Sequence, residues 1–436
     1  MGKNMENDVY QRLGKKIDGL TVRTPWNETF HSILKELYTA QEADVVVRMP
    51  YTLSSLRKIA KVTGVEELLL KNILDGLCKK GLVMDLWNER DNQYCYMPSP
   101  LAVGIFEFTM MRTRGDLNTK NWAELFHRYF DKVYPANFNH GEEVSVLRVI
   151  PVEETVSTDE HIEFFDYERI SSLIENADRF AIGLCSCRNE KHHIGEKQCD
   201  APLESCSMFG VAADYMIRNN LAREVSKSEM QDNFARSREL GLVFCAYNTK
   251  KDPFAICHCC KCCCNYLAGL NKYGFGNAVI TSSFIAKVDE DSCKGCGKCV
   301  EACPVNAMSL VSANDPDHPK KKKGRVDTGI CIGCGVCALK CVPGAVHLVN
   351  RGKRVIHPDT LFETTILSCL ERGTLQNQIF NNPQSVTQEF MRTFMGAFFR
   401  LPPVKRALMS DMFRSTFLHT AKAIAILQGK GWMLDL

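Results

Sequence analysis

Residues 256–264 read ICHCCKCCC, with six cysteines between Cys257 and Cys264. Neighbouring cysteines rarely reach the separation and dihedral angle of a relaxed disulfide, so bridges do not explain the run. Packing does not explain it either, because a buried cysteine acts as a small hydrophobe that Ala or Val can replace. Thiolates are the usual ligands of zinc and of iron–sulfur clusters. The stretch therefore predicts a metal centre.

Four more cysteines precede this run, with the spacing Cys-x-Cys-x11-Cys-x6-Cys that begins at Cys185. If the run is helical, Cys257, Cys260 and Cys264 share one face and the other three lean to another. Each face would then complete a site begun upstream, which predicts one or two [4Fe–4S] clusters, with a four-thiolate zinc site as the alternative. The predicted ligands are Cys185, Cys187, Cys199, Cys206, Cys257, Cys259, Cys260, Cys262, Cys263 and Cys264.

Basic residues lie among these thiols. Arg188 follows Cys187 directly, and we expect its guanidinium to donate hydrogen bonds or positive charge to a cluster, which would raise the reduction potential. His192, His193 and His258 are further possible ligands. A single histidine more often faces solvent or makes an ordinary hydrogen bond, and that interpretation is favoured for all three.

Two further cysteine motifs, CKGCGKCVEACP and CIGCGVCALKCVP, repeat Cys-x2-Cys-x2-Cys-x3-Cys at a spacing of 38 residues. Over about residues 286–350 the chain resembles a bacterial ferredoxin with two [4Fe–4S] clusters, in which the fourth cysteine of each motif binds the other cluster. The resemblance implies that one cluster is held by Cys293, Cys296, Cys299 and Cys341. It implies that the second is held by Cys331, Cys334, Cys337 and Cys303.

The insertion between the two motifs contains four consecutive lysines, Lys320–Lys323. A solvated loop is the simpler interpretation. The alternative is a docking surface for an acidic redox partner, because positive potential near a cluster speeds the encounter with such a partner.

A CxCR…C…PxExC pattern followed by ICxCCxCCC, just before a dicluster ferredoxin domain, resembles a group of iron–sulfur proteins from anaerobic bacteria. The resemblance covers about residues 150–350. It implies an electron-transfer component of a larger redox assembly, with a redox partner protein or a catalytic oxidoreductase subunit as its partner.

The N-terminal region has a different pattern. Apolar periodicity predicts helices over 26–42, 52–64 and 65–81, and residues 82–98 indicate two strands around a polar turn. Helices followed by a hairpin resemble a winged-helix domain. The second of its two closely spaced helices carries Glu66, Glu67 and Asp75 among its lysines, so it lacks a basic face for phosphates. Protein docking is therefore favoured over DNA binding.

These elements predict an α+β fold with four parts. They are a winged-helix-like domain with a following helix at 26–112, a cysteine-rich α/β domain at 113–285, a dicluster ferredoxin domain at 286–350 and a helical segment at 356–436.

Composition indicates which partners and which cellular compartment to expect. The chain has 436 residues and 22 cysteines. Its net charge is only +3, so its overall charge does not indicate nucleic-acid binding. Clustered cysteines in a long chain indicate metal binding in a reducing cytoplasm rather than a disulfide framework. Neither a signal peptide nor an apolar run long enough for a membrane span is expected. The segment FMGAFFRLPPVKRALM allows a peripheral membrane contact, although a helix pair broken at Pro402–Pro403 is the favoured interpretation.

The predicted function is a multi-cluster iron–sulfur electron-transfer protein that relays single electrons to or from a partner catalytic subunit in anaerobic metabolism. No catalytic residue is predicted, because no nucleotide-binding loop, haem motif or catalytic triad is evident in the sequence. The alternative is an iron–sulfur redox-sensing transcription regulator with a winged helix. An enzyme that binds substrate at an open iron is a third possibility.

Overall fold

The protein is described by a computed structural model. It describes residues 8–112, 118–133, 144, 147–157, 168–251, 253–273, 279–280, 282–352 and 356–435. Within them, helices and several sheets are mixed, as expected for an α+β fold.

The N-terminal region begins with helices and ends in a hairpin. Its elements are α1 (Val9–Asp18), α2 (Glu28–Leu37), α3 (Ala40–Arg48), β1 (Ser54–Ser55), α4 (Leu56–Thr63), α5 (Glu67–Lys80), β2 (Val83–Asn88) and β3 (Gln93–Pro98). The single helix predicted over 26–42 is wrong. Thr39 forms a capping box with Glu42 and starts α3 as a second helix. The strand order is β1–β3–β2.

Glycines end the next two helices as the sequence predicts. Gly64 and Gly81 follow α4 and α5 with φ of +69° and +76°, a left-handed conformation that glycine adopts without steric cost. The hairpin turn contains Asn92, also at positive φ. Two more helices, α6 (Phe106–Met111) and α7 (Thr119–Val133), follow. Winged-helix membership stays a prediction.

The middle region is built on a seven-stranded sheet with the order β10–β4–β8–β9–β6–β5–β7. Its strands are β4 (Leu147–Ile150), β5 (Phe180–Leu184), β6 (Glu204–Phe209), β7 (Ala222–Glu224), β8 (Val243–Tyr247), β9 (Ala255–Cys259) and β10 (Val279–Ile280). All neighbouring pairs are antiparallel except β10 with β4. Its helices are α8 (Ile170–Asn176), α9 (Ser186–His193), α10 (Gly210–Arg218), α11 (Lys227–Glu239) and α12 (Asn265–Tyr273).

The conditional prediction of a helix over 257–264 is wrong. Cys257 and Cys259 belong to the strand β9, the next residues form a turn, and α12 starts only at Asn265. The reason is tertiary: β9 lies between β8 and β6, which satisfy its backbone hydrogen bonds on both sides. Ser226 forms a capping box with Glu229 at the start of α11.

The ferredoxin-like region consists of two antiparallel strand pairs and two short helices. They are β11 (Phe284–Val288) with β14 (Val346–Asn350), β12 (Met308–Ser312) with β13 (Lys322–Val326), α13 (Lys298–Ala302) and α14 (Val336–Leu339). The C-terminal segment contains α15 (Leu361–Arg372), α16 (Leu375–Ile379), α17 (Val386–Phe399), α18 (Pro402–Met409) and α19 (Asp411–Leu427). The predicted break at Pro402 is confirmed, because α18 starts there.

No helix in the described ranges is long and apolar enough to cross a membrane.

Candidate metal centres

Four of the ten predicted ligands of the middle region converge on one point, which we call the turn site: Cys199, Cys260, Cys262 and Cys263. All four sulfur atoms lie within 4.8 Å of one another. The Sγ atoms of Cys199 and Cys260 are 3.6 Å apart, and those of Cys262 and Cys263 are 3.5 Å apart. The turn after β9 supplies three of these thiols, and the loop after α9 supplies the fourth.

These spacings fit a single metal ion. Four thiolates arranged as a tetrahedron at about 2.3 Å from a zinc ion have sulfur–sulfur separations of about 3.8 Å. The Cys199–Cys263 and Cys260–Cys262 separations are both 3.9 Å. A four-iron cube holds its thiolates farther apart, because each thiolate binds a different iron. The turn site therefore matches a four-thiolate mononuclear centre better than a cube.

Arg188 lies behind the turn site and is fully buried. Its guanidinium donates hydrogen bonds to Ser205 Oγ at 2.8 Å, to the carbonyl oxygen of His258 at 2.8 Å and to that of Pro202. Burial lowers the pKa of Arg188, but Cys185 and Cys260 outweigh burial and the net shift is upward. The buried cation therefore lies where it can offset thiolate charge. Its effect on a bound cluster stays a prediction.

A second set of thiols lines one part of the seven-stranded sheet, and we call it the sheet group: Cys187, Cys206, Cys245, Cys257, Cys259 and Cys264. The thiols interact in pairs, and the pairs are Cys187 with Cys264, Cys264 with Cys259, Cys259 with Cys245, Cys259 with Cys257, and Cys257 with Cys206. Side chains two residues apart on a strand share a face, which explains why β9 presents Cys257 and Cys259 together. Cys185, at the start of α9, interacts with Cys257 of this group and Cys260 of the turn site.

Cys245 belongs to the sheet group although no sequence motif predicts it. It lies on β8 directly opposite Cys257 in the antiparallel register. Sequence spacing carries no sign of this partnership, since Cys245 belongs to no short cysteine motif. Strand pairing alone brings it to the group.

A buried polar network fixes α9 against the start of α12. Glu190 is fully buried, accepts a hydrogen bond from Asn265 Nδ2 at 2.6 Å and pairs with Lys191 at 3.0 Å. His127 of α7 lies 3.2 Å from the same carboxylate. The network holds Cys187, on the first turn of α9, beside Cys264, which immediately precedes α12.

His258 does not join the thiols. It points to the opposite face of β9 from Cys257 and Cys259, and its ring nitrogens lie 2.9 Å from Ser207 Oγ and 2.6 Å from Ser237 Oγ. Burial, followed by the charge of Arg188, lowers the pKa of His258 to about 3. It is a neutral, hydrogen-bonded core residue, which is the interpretation favoured from the sequence.

In the ferredoxin-like region, one glycine in each cysteine loop lets the loop approach a neighbouring strand closely. Gly295 and Gly333 occupy the same place in the two motifs, both at positive φ. A Cβ atom at Gly333 would lie 2.7 Å from the Phe284 carbonyl carbon, and one at Gly295 would lie 2.7 Å from that of Lys322. Only glycine permits this close approach of each cysteine loop to its neighbouring strand.

The thiols of this region interact across the two motifs. Cys299 interacts electrostatically with Cys293 of its own motif and Cys341 of the other. Cys337 interacts with Cys331 of its own motif and with Cys303 and Cys299 of the first motif.

Backbone amides and burial also suit a cluster here. Backbone N–H groups donate to two of the sulfurs, from Gly324 to Cys293 at 3.3 Å and from Ala307 to Cys303 at 3.2 Å. Burial raises the pKa of the Cys334 thiol, so a thiolate there needs a compensating cation. This donor set fits thiolate-bound iron.

The two cysteine-rich regions are in direct contact. Lys261, inside the turn that carries the turn site, donates to Asn306 Oδ1 at 2.7 Å. Asn271 of α12 donates to the Pro304 carbonyl oxygen at 2.9 Å and accepts from Asn306 at 3.0 Å. Pro304 directly follows Cys303 in the chain. The loop at the end of the first ferredoxin motif therefore packs against the helix that follows the six-thiol run.

The lysine run is only partly a loop. Lys322 and Lys323 are the first residues of β13. Lys321 pairs with Asp315 at 3.1 Å, and Lys323 pairs with Glu290 at 2.6 Å. These pairs neutralise part of the charge available to an acidic partner.

Comparison with known proteins identifies a known domain type in the ferredoxin-like region. The family described as a 4Fe-4S dicluster domain matches residues 292–345. This part of the chain is a ferredoxin-type 4Fe-4S domain, which indicates iron–sulfur electron transfer. A similar individual protein is Ferredoxin-3 of Trichormus variabilis, 39% identical over 49 residues, or 11% of this chain. The chain covers 50% of that ferredoxin's length. No solved structure matches the chain.

Proposed function

We propose that this chain is a multi-cluster iron–sulfur electron-transfer protein that relays single electrons to or from a partner catalytic subunit, in the cytoplasm of an anaerobe. Iron–sulfur centres supply one-electron chemistry when bound. The observation that carries the proposal is a direct contact between the two cysteine-rich regions. The turn after β9 and the helix α12 pack against the loop that follows Cys303. This contact puts two thiol-rich regions next to each other, as an electron relay requires.

The proposed centres follow the thiol groups. The crossed sets given above would hold two cubes in the ferredoxin domain. The sheet group would hold a third cube, for which its six thiols are more than sufficient. The turn site would hold one tetrahedral metal ion, zinc or iron, which would make that part of the chain a structural clasp or a further one-electron centre.

The N-terminal domain is proposed to dock a protein rather than DNA. On α5, Leu68 and Leu69 are exposed by 68% and 48%, and Glu66 and Glu67 lie beside them. Lys71 of the same helix pairs with Asp75 at 2.6 Å. A face with exposed leucines and carboxylates suits a protein partner and repels phosphates.

Metal analysis of the anaerobically purified full chain tests the cofactor set. At four irons per cube, three cubes give about twelve irons with about as many acid-labile sulfides, plus one metal ion in the turn site. Cys262→Ser should remove the single ion and leave the sulfide content unchanged, because Cys262 belongs to the turn site alone. In the sheet group, changing Cys206, Cys257, Cys259 and Cys264 together to Ser leaves too few thiols for a cube. This variant should lose about four irons and about four sulfides.

The metal and sulfide contents test the cluster in the sheet group and the single ion in the turn site separately. A wild-type content of about eight irons and eight sulfides would refute a cluster in the sheet group. A loss of sulfide in Cys262→Ser would refute the mononuclear assignment of the turn site.

A further inference from the structure

A large apolar cavity lies between the seven-stranded sheet and the C-terminal helices. Its volume is about 850 Å³, and methionine and phenylalanine are the commonest side chains in its wall. Apolar space of this size is unfavourable when empty, because the lining atoms lack van der Waals partners on one side. Its volume is within the range of pockets that bind small molecules.

One end of the cavity is polar and reaches the sheet group. Cys206 and Cys257 line it there, together with Glu107 and Tyr266. Tyr266 interacts electrostatically with Glu107 and with Cys257, so the four side chains form one neighbourhood. Glu107 is held in place by the backbone N–H of Gly104, which donates to Oε2 at 2.8 Å.

The other end is apolar and is formed by the C-terminal helices. Met391, Met395 and Phe399 of α17 and Ala425 of α19 line it. The outer face of α17 is also apolar, with Phe390 and Phe394 exposed by 70% and 62%. Because α17 is apolar on both faces, it can cover the cavity and also let a lipid-soluble molecule enter past it.

We propose that this cavity binds a long-chain lipophilic quinone, with its ring beside Cys206 and Cys257 and its hydrocarbon tail among the C-terminal helices. The Tyr266 hydroxyl can donate to a quinone carbonyl oxygen, and the carbonyl oxygen of the Glu107 carboxyl group can accept from a quinol hydroxyl. The rest of the wall is mostly apolar and matches the tail, with Lys430, Gln378 and Gln428 among its polar members.

The redox step rests on the proposed function. The quinone takes two electrons, one at a time, from reduced iron–sulfur centres of this chain and two protons from water, and it becomes the quinol. Both C=O groups are converted to C–OH, and the iron–sulfur centres are oxidised by two electrons in total.

Calorimetric titration of the oxidised full chain with decylubiquinone tests the binding. Ala425→Trp fills the apolar end and should weaken binding at least tenfold, or about 1.4 kcal/mol, because the indole ring occupies the space of the tail. Ala423→Trp is the matched control, since Ala423 is exposed on the same helix and is not part of the wall. It should leave affinity unchanged. Tyr266→Phe should weaken binding about fivefold, as expected for one lost hydrogen bond.

Decanoic acid is the comparison ligand. If it binds as tightly as the quinone, the cavity is a general lipid site and the quinone assignment is overturned. Absence of decylubiquinone binding to the wild type, or equal weakening by both tryptophan variants, would overturn the cavity as the site.

A separate measurement tests the acceptor role. Stoichiometric decylubiquinone should reoxidise the dithionite-reduced protein, with one quinol formed per two electrons. Bound quinone that leaves the protein reduced would overturn that role. The metal and sulfide content tests the proposed function independently, because binding to the oxidised chain needs no electron transfer.

Discussion

Replacing Gly333 by alanine tests whether the glycines of the cysteine loops are required by close backbone approach. Gly333 has φ of +66°, and a Cβ atom there would lie 2.7 Å from the Phe284 carbonyl carbon and closer still to its oxygen. The left-handed conformation costs a residue with a Cβ about 1–2 kcal/mol. Forcing the strand and the loop apart adds about 1–3 kcal/mol. We therefore expect Gly333→Ala to destabilise the ferredoxin domain by about 2–5 kcal/mol.

Gly344 is the matched control in the same domain. Its φ is +70°, but no atom lies within 4 Å of the position that a Cβ would occupy. Gly344→Ala should therefore cost only the conformational part, about 1–2 kcal/mol. The difference between the two variants isolates the steric contact.

The measurement is the urea midpoint for loss of the visible cluster absorbance, recorded anaerobically. With a slope of about 2 kcal/mol per molar urea, the Gly333 variant should lose its absorbance at about 1 M less urea than the Gly344 variant. Gly295→Ala should behave like Gly333→Ala, since its Cβ would meet the Lys322 carbonyl in the same way. Equal midpoints for Gly333→Ala and Gly344→Ala would refute the reasoning.

Three further predictions concern the ligands, the lysine run and a buried amine. Cys303→Ser should damage the cluster that includes Cys337, because the two thiols interact across the motifs. Electron paramagnetic resonance that shows damage only at the other cluster would contradict the crossed ligation. Changing Lys320–Lys323 to Glu should slow electron exchange with an acidic partner protein, most strongly at low salt where surface charge is least screened, whereas a rate unchanged at all ionic strengths would leave the run a solvated segment. Burial, followed by the charge of Lys58, lowers the pKa of Lys430 from 10.5 to about 7. Unfolding then takes up a proton between about pH 7 and 10.5, so this group's destabilising effect is full below pH 7 and fades as pH rises through that window. Lys430→Met should accordingly stabilise the chain by on the order of 4 kcal/mol at neutral pH and by little near pH 11; denaturant midpoints with equal gains at both pH values would contradict the burial effect.

Local patterns in the sequence were sufficient to predict several features. The glycine ends of α4 and α5 and the break at Pro402 depend on a few neighbouring residues, and the structure has them as predicted. The ferredoxin motifs could also be recognised from the sequence, because each supplies three ligands from one short loop with a fixed cysteine spacing.

The sorting of the other thiols depended on tertiary structure. Whether Cys257–Cys264 forms a helix or a strand cannot be read from a run made mainly of one residue type, since it has no apolar period. Pairing of β9 with β8 and β6 decides it, and that pairing brings in Cys245 from a distant part of the chain. The following turn then separates Cys260 from Cys257 and joins it to Cys199. The sequence alone determined that metal-binding thiols are present, and long-range strand pairing decided which thiols meet, because contacts between distant segments leave no local pattern.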